Sequence, residues 1–467
     1  PLHMLANKAA VNARGMNMVA LGALAALFSV EKDAFTDAIK ARYAKKKQIV
    51  IDSNVNSFLE GYDWTAENIK KIDAFSFEGV TMPEPKEKLI INGNQLVAQA
   101  ALDANLNFYA GYPITPATKI MEILSKELPG HGGTVLQTED EISAIGSVIG
   151  AGYGGKRAMT ATSGPGFALM TEFTGLSVMA EVPAVIIDSM RGGPSTGIPT
   201  KTEQSDFNAA IGAGTGDCPR IVLAPTDTAS CYDAMVLALY YAEKYQTLSI
   251  LLLDFFLSNS IRNIKIPAKP EPHLLDANIA PTPEEMADYQ RYRVTENGIS
   301  PRAIPGTRGG IFFATGLEHD EYGRPNYSDQ GHLKMTRKRF NKFNSVLSEA
   351  PPVEIQGDET DDGTQTYDIG VVSWGSSAGA AHEAVMFARK EGINAASFSS
   401  MLLSPFPEKE LTAFSDRCDK ILIPELNYSG QFAAFAAGML KRPVERLNFI
   451  TGKPMASEDI LQKIRVM

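Results

Sequence analysis

Residues 107–124, NFYAGYPITPATKIMEIL, decide the fold, because a strand, a rigid turn and a helix follow one another there without a gap. NFYAGY reads as a short buried strand, and a helical pattern starts at Ala117. Between them Pro113 and Pro116 fix φ, remove two backbone donors and push the preceding residues toward extended geometry. Thr115 is thereby presented at a strand-to-helix junction, where a hydroxyl can serve packing, a helix cap or a binding site.

The same alternation repeats outward from this stretch. TVLQTE (134–139) is a strand followed by the small-residue helix ISAIGSVIGAGYGG, and RAMTATS (157–163) is a strand before a helix from Phe167. PAVIIDSM (183–190) reads as a fourth, fully apolar strand, and RIVLAP (220–225) and LSILLLD (248–254) close the series around a long helix. Short β-branched runs separated by helices imply a parallel sheet with helices on both faces. Ligands of such sheets sit at the carboxyl ends of the strands, so the loops after 112, 139, 163 and 190 are the candidate site.

The rest of the chain divides around this unit. Residues 1–85 read as three helices resembling the tail end of a domain whose front is absent, and the apolar run Met16–Val30 as a buried helix, too short and too rich in Gly and Ala to span a bilayer. EGVTMPEPKEK (78–88) reads as a linker to a first α/β domain, 86–265. Residues 266–365 are rich in Pro, Gly and charge and read as largely irregular, ending in the acidic EIQGDETDDG (354–363). Within them KMTRKRFNKF (334–343) is expected to be an amphipathic helix with a solvated basic face, and EHDE (318–321) a solvated turn. A second α/β unit, 366–467, carries the strand patterns YDIGVVSWG, NAASFSS, KILIPE and RLNFI.

Composition bounds the function. A chain of 467 residues with 44% hydrophobic and 21% charged residues is a globular protein of several domains. Its net charge of −10 argues against general nucleic-acid binding. Three scattered cysteines, Cys218, Cys231 and Cys418, form no CxxC pair, so neither an iron–sulfur cluster nor a zinc site is expected within the chain, and the sparse usage suggests the cytoplasm. No metal ligands are assigned to this chain. GAGYGGKR (150–157) almost spells a P-loop, but Arg157 stands where Ser or Thr should be and the motif follows a helix instead of a strand, so a helix C-terminal turn is expected.

Three features remain at the right strand ends. Glu141 opens the helix after the second strand beside Glu139 and Asp140, where acids also answer a helix dipole. Arg191 ends an apolar strand and leads into GGPSTGIPTKTEQ, which suits bidentate capture of a carboxylate or a plain surface ion pair. TSGPGFALMTE (162–172) places two glycines at a strand-to-helix turn, allowing close backbone approach.

GYPITPATKIMEIL, TEDEISAIGSVIGAGYGGKRAMTATSGPGFALM, SMRGGPSTGIPTKTEQSDF and GISPRAIPGT, in this order, resemble the α subunit of the 2-oxoacid:ferredoxin oxidoreductases, particularly the 2-oxoglutarate type. NMVALGALAALF and NVNSFLEGY resemble the end of that family's γ domain, and WGSSAGAAHEA with PELNYSGQ a transketolase C-terminal domain. The resemblance implies an α/β fold, with a pyrimidine-binding domain of the thiamine-diphosphate enzymes (parallel sheet, helices on both faces) plus a transketolase C-terminal-like domain. It implies oxidative decarboxylation of a 2-oxoacid on thiamine diphosphate, formation of an acyl-CoA from coenzyme A, and electron transfer to ferredoxin. Thiamine diphosphate would be shared with a β subunit that holds magnesium and a [4Fe-4S] cluster, in a dimer of αβ units without nucleic-acid or membrane contacts. Residue by residue, Glu141 matches the glutamate facing N1′ of the aminopyrimidine, Thr115 the hydroxyl touching cofactor and substrate, Pro113 a cofactor-lining residue, and Arg191 the arginine gripping the oxoacid. Pyruvate or a branched-chain oxoacid is the competing substrate, and a scaffold that has lost the chemistry is the competing role.

Overall fold

The computed structural model describes residues 2–9, 15–78, 88–357 and 364–467, and the chain falls into two compact units, 1–86 and 87–467. In the first unit four helices span Leu2–Ala9, Met16–Leu27, Lys32–Tyr43 and Gln48–Asn68, one more than the sequence pattern suggests. Helix Met16–Leu27 is not buried all round. It hides Val19, Gly22 and Ala25, while Leu24 is exposed. The buried stripe runs through glycine: a Cβ on Gly22 would come within 2.0 Å of the Phe58 carbonyl oxygen, and one on Gly61 within 2.1 Å of that of Val19. Backbone touches backbone there, which only glycine permits. Residues 79–87 of the expected linker lie outside the described residues.

The second unit begins with strand β1 (Lys88–Ile91) and continues with β2 (Phe108–Gly111), β3 (Thr134–Gln137), β4 (Ala158–Thr162), β5 (Ala184–Met190), β6 (Ile221–Leu223), β7 (Leu248–Asp254) and β8 (Arg262–Lys265). After a long connection come β9 (Glu354–Gln356), β10 (Tyr367–Ser373), β11 (Ala395–Ser399), β12 (Leu402–Ser404), β13 (Cys418–Glu425) and β14 (Glu445–Asn448). A seven-stranded sheet has the order β12-β6-β7-β5-β4-β2-β3, and every pairing in it is parallel except β12 with β6. Strands β4, β5 and β7 are buried along their whole length, as central strands of a doubly covered sheet must be. Helices Gly93–Asp103 and Ser230–Tyr245 cover one face and helix Glu141–Tyr153 the other.

The second sheet, β14-β13-β10-β11-β9, is parallel except at the edge strand β9. Residues 354–356, expected as the start of an irregular acidic tail, therefore pair with β11, and 358–363 lie outside the described residues. The two sheets are joined twice. Strand β12 lies between β11 and β13 in the chain yet extends the first sheet, and Phe207 packs on Trp374, Phe432 and Phe435. Core residues of both sheets form one continuous cluster.

The expectation of a solvated basic helix is overturned. Helix Asp329–Ser348 buries Lys338, Arg339 and Lys342. Lys338 Nζ lies 2.6 Å from both carboxylate oxygens of Glu181, and Lys342 Nζ 2.7 Å from Oε2, all three side chains being almost wholly inaccessible. The helix is amphipathic, but its basic stripe faces inward because a buried acid on the first sheet's helical layer requires counter-charge. The turn at 318–321 is likewise not solvated: His319 is buried against the ring of Tyr292 and Glu318 pairs with Arg339. The near-P-loop is a helix end, with Gly155 at φ 78° and Arg157 turned inward onto Glu243.

Candidate active site

The carboxyl ends of β2, β4 and β5 stand side by side, and the sequence places Thr115, the TSGPG turn and Arg191 directly after them. Thr115 is followed by a cis peptide to Pro116, whose carbonyl accepts a hydrogen bond from buried Asn94 at 3.0 Å. The Thr115 side chain is exposed and does not cap the following helix Thr118–Glu127. Its carbonyl accepts a hydrogen bond of 2.7 Å from Nη1 of Arg191. Since β4 lies between β2 and β5, this contact bridges the end of β4 and ties the two loops together.

Arg191 is 7% exposed, and its Nε has no hydrogen-bond partner. A buried guanidinium with unused donors is costly unless an anion completes it. The loop after it is held from both sides. The Gly192 amide donates to the Lys201 carbonyl at 3.1 Å and the Ile198 amide to the Gly192 carbonyl at 2.7 Å. Gly197 is obligatory in this turn, at φ 54° with a hypothetical Cβ only 1.8 Å from the Gly192 carbonyl oxygen. Gln204 then anchors the loop to the second sheet: its side chain donates to the Trp374 carbonyl (2.8 Å) and accepts from the Leu426 amide (3.1 Å).

Glu141 is the first residue of helix Glu141–Tyr153, whose cap is Asp140, bonded to the Ser143 amide at 2.7 Å. Asp140 thus answers the helix terminus, leaving Glu141 for something else. The residue is 7% exposed, and its carboxylate accepts no hydrogen bond from the described residues. It points over the end of β4, where a Cβ on Gly166 would come within 2.1 Å of Thr162 Oγ1 and 2.5 Å of Glu141 Oε1. No hydrogen bond joins Glu141 to Thr115 or Arg191; the three share the carboxyl end of the sheet, and only the last two touch. Pro113 is exposed on the same loop as Thr115.

Sequence reasoning missed a second set of acids. Strand β5 is not fully apolar: Asp188 sits within it, with neither carboxylate oxygen partnered. Asp206 faces Gly164, where a Cβ would come within 2.6 Å of its Oδ2. Burial raises Asp188 well above the ordinary carboxylate range, with the neighbouring Asp206 adding to the effect. Burial and Glu203 push Asp206 up to about 6, against the lowering influence of Arg191. The two glycines of the TSGPG turn therefore each make room for a carboxylate, Gly164 for Asp206 and Gly166 for Glu141. The available signal was a lone Asp inside an otherwise apolar strand ending at Arg191.

A thiamine-diphosphate site fits these residues. The unpartnered carboxylate of Glu141 suits the ring nitrogen of an aminopyrimidine, and the glycine turn lets a flat ring approach backbone. Among the described residues no cluster of metal-ligating side chains exists and no helix is long and apolar enough to cross a membrane.

Comparison with known proteins places these features in a family. Residues 99–338 match the family "Pyruvate flavodoxin/ferredoxin oxidoreductase, thiamine diP-bdg", residues 368–460 "Pyruvate:ferredoxin oxidoreductase core domain II", and residues 1–64 "Pyruvate ferredoxin/flavodoxin oxidoreductase". The chain is 38% identical to the 2-oxoglutarate synthase subunit KorA of Methanothermobacter marburgensis, over 82% of this chain and 99% of that one. It is 34% identical to the 2-oxoglutarate oxidoreductase subunit KorA of Mycobacterium tuberculosis, over 97% of this chain and 68% of that one. A solved 2-oxoglutarate:ferredoxin oxidoreductase from Magnetococcus marinus, with 2-oxoglutarate, coenzyme A and succinyl-CoA bound, superposes with a TM-score of 0.89 at 38% identity, covering 100% of this chain and 79% of that one. The chain belongs to the 2-oxoacid:ferredoxin oxidoreductases, a thiamine-diphosphate-binding enzyme family, among their α subunits of the 2-oxoglutarate type.

Proposed function

We propose that this chain is the α subunit of a 2-oxoglutarate:ferredoxin oxidoreductase that converts 2-oxoglutarate and coenzyme A to succinyl-CoA and CO2, passing two electrons to ferredoxin. The observation that carries the reading is the Arg191–Thr115 bridge: a buried guanidinium with an unused donor, fixed at a strand end beside an unpartnered glutamate. Thiamine diphosphate, when bound, supplies the electron sink that decarboxylation of a 2-oxoacid requires. Glu141 would hold the proton shared with N1′ of the aminopyrimidine. Arg191 receives the 1-carboxylate of the oxoacid by charge-assisted hydrogen bonds, and its hold on the Thr115 carbonyl fixes its reach. The Thr115 hydroxyl, exposed above that carbonyl, contacts substrate and cofactor, with Pro113 beside it.

The diphosphate, its magnesium and the iron–sulfur cluster fall to a β subunit in this reading, since the three cysteines here are far apart in sequence and none forms a pair. The assembly is a dimer of αβ units in the cytoplasm. The test is purification of the complex with its β subunit and measurement of ferredoxin reduction dependent on oxoacid and coenzyme A. The reading expects kcat/KM for 2-oxoglutarate to exceed those for pyruvate and branched-chain oxoacids. A higher value for pyruvate overturns the substrate, and full activity in Glu141→Ala overturns the site in favour of a scaffold role.

A further inference from the structure

Residues 202–208 form a strap that is bonded on one side to the loop after Arg191 and on the other to the C-terminal α/β domain. Toward the loop, the buried Glu203 accepts from the Gly193 amide (3.4 Å) and from Ser205 Oγ (3.1 Å) through the same oxygen, Oε2. Its Oε1 lies against Gly192, where a Cβ would stand 3.2 Å away. The two residues directly after Arg191 therefore rest on one carboxylate. Toward the C-terminal domain, the Gln204 amide donates to the Leu426 carbonyl (2.8 Å) and the Gln204 carbonyl accepts from Asn427 Nδ2 (2.9 Å). Gln431 reaches across from the start of helix Gln431–Leu440. Its Nε2 donates to the Ser205 carbonyl (2.7 Å) and its Oε1 accepts from the Asn208 amide (2.8 Å). At Gly375, at φ 57°, a Cβ would come within 2.7 Å of Gln204 Nε2, so the turn after β10 closes on the same strap.

The turn that presents Asn427 and Gln431 is built around a wholly buried acid at the end of β13. Glu425 accepts from the Phe432 amide (2.9 Å), the Ala433 amide (3.0 Å) and Asn427 Nδ2 (2.9 Å), and Asn427 Oδ1 accepts from the Gly430 amide (2.7 Å). Charge-assisted bonds to backbone amides fix this turn in one arrangement, and the strap inherits it. Arg191 is bonded to the Thr115 carbonyl and keeps Nε unpartnered, so where its guanidinium meets a carboxylate depends on where the backbone after it is held. Orientation is costly to lose: a displacement of about 1 Å at a positioning group can cost ~100-fold.

We infer that Gln431 of the C-terminal domain is a positioning residue for the oxoacid, setting the Arg191 guanidinium for the substrate's 1-carboxylate through the 202–208 strap. The inference rests on the functional reading above, but on the carboxylate that all 2-oxoacids share. Gln431 is half-buried, and Gln431→Ala removes both of its bonds to the strap while the bonds of Glu425 remain. In the αβ complex without substrate, hydrogen exchange over 192–206 should quicken at least about threefold, with the melting temperature within about 2 °C. The KM for the oxoacid should rise about five- to tenfold, with kcat and the KM for coenzyme A within about twofold. In an Arg191→Lys background the same change should add less than about twofold, because the fork it positions is already gone. An equal rise in the lysine background means the effect bypasses Arg191 and overturns the inference. So does unchanged exchange, faster exchange with an unaltered KM, or a loss confined to kcat and melting temperature, each of which leaves Gln431 a structural anchor. A complex that turns over pyruvate instead of 2-oxoglutarate, with the same non-additive pattern in the KM for pyruvate, overturns the substrate reading and upholds the inference.

Discussion

At the scale of single residues the site is a matter of buried charge. Arg191 and Glu141 stand out in sequence only by their strand-end positions, where a surface ion pair and a helix dipole are equally open readings; burial and the bond to the Thr115 carbonyl are what the structure adds. That Asp140, not Glu141, caps the helix follows only from geometry, since either acid answers a helix dipole in sequence. Arg191→Lys tests the fork: lysine keeps the charge but cannot hold the Thr115 carbonyl and a carboxylate together in one plane. We expect kcat/KM for the oxoacid to fall by about 2–3 kcal/mol, roughly 30- to 150-fold, mostly through KM, read from steady-state kinetics of the αβ complex. An effect under about threefold would remove Arg191 from substrate binding. Asp188 and Asp206 escape sequence reading because neither has a motif; their significance comes from the glycine turn and the sheet register that bring them together. Their raised folded-state values have a definite sign. A carboxyl that is harder to ionise when folded leaves the native state holding the proton that the unfolded chain gives up, so stability is greatest below about pH 4 and declines as pH rises through about 6 for Asp206. Asp188→Asn, nearly isosteric and uncharged, should relieve the repulsion: the loss of thermal stability between pH 4 and 7 should shrink by about 1–2 kcal/mol. An unaltered pH slope would mean that the two acids do not interact.

Elements show where sequence patterning stops. The parallel strands β2, β4, β5 and β7 were readable to within a residue or two, because a doubly covered sheet demands continuous apolar runs. Helix Asp329–Ser348 was readable as a helix but not as to which face is inside. A basic stripe looks solvated unless its partner is known, and Glu181 lies 157 residues before Lys338. Strand β12 was invisible for a related reason: three residues, paired antiparallel to an edge strand of another sheet, carry no local signal. Burial pushes the Glu181 carboxyl up, but the ammonium groups of Lys338 and Lys342 and the Arg291 guanidinium outweigh burial and hold it well below the ordinary range. Glu181→Gln leaves the cations buried without a counter-charge. Removing one partner of such a group costs about 3–5 kcal/mol, so the melting temperature should drop by several degrees and the 266–357 segment should become protease-sensitive first. Both changes are measurable by scanning calorimetry and limited trypsin digestion. If the variant melts with the natural protein, the network does not pin this segment.

The whole molecule sets the sheet ends of one domain against loops held by the other. Gln204, Asn427 and Gln431 carry hydrogen bonds between the Arg191 loop and the C-terminal α/β domain, so that domain holds the loop in place. None of this is legible in the sequence, since a glutamine's partners 170 to 226 positions away leave no trace in local sequence. In the proposed function the chain offers a carboxylate for the cofactor's aminopyrimidine and a guanidinium for the oxoacid, while the diphosphate and its magnesium fall to the β subunit. Phosphate charge is the larger part of that cofactor's binding energy, because two ionised phosphates must be neutralised on leaving water. The isolated chain should therefore bind thiamine diphosphate at least about 100-fold more weakly than the αβ complex, with an affinity that magnesium scarcely changes, and should turn over no oxoacid. Fluorescence titration with and without magnesium reads both quantities. Tight, magnesium-dependent binding by the chain alone would place the diphosphate site here instead of on a partner, and the division of labour between the subunits would have to be redrawn.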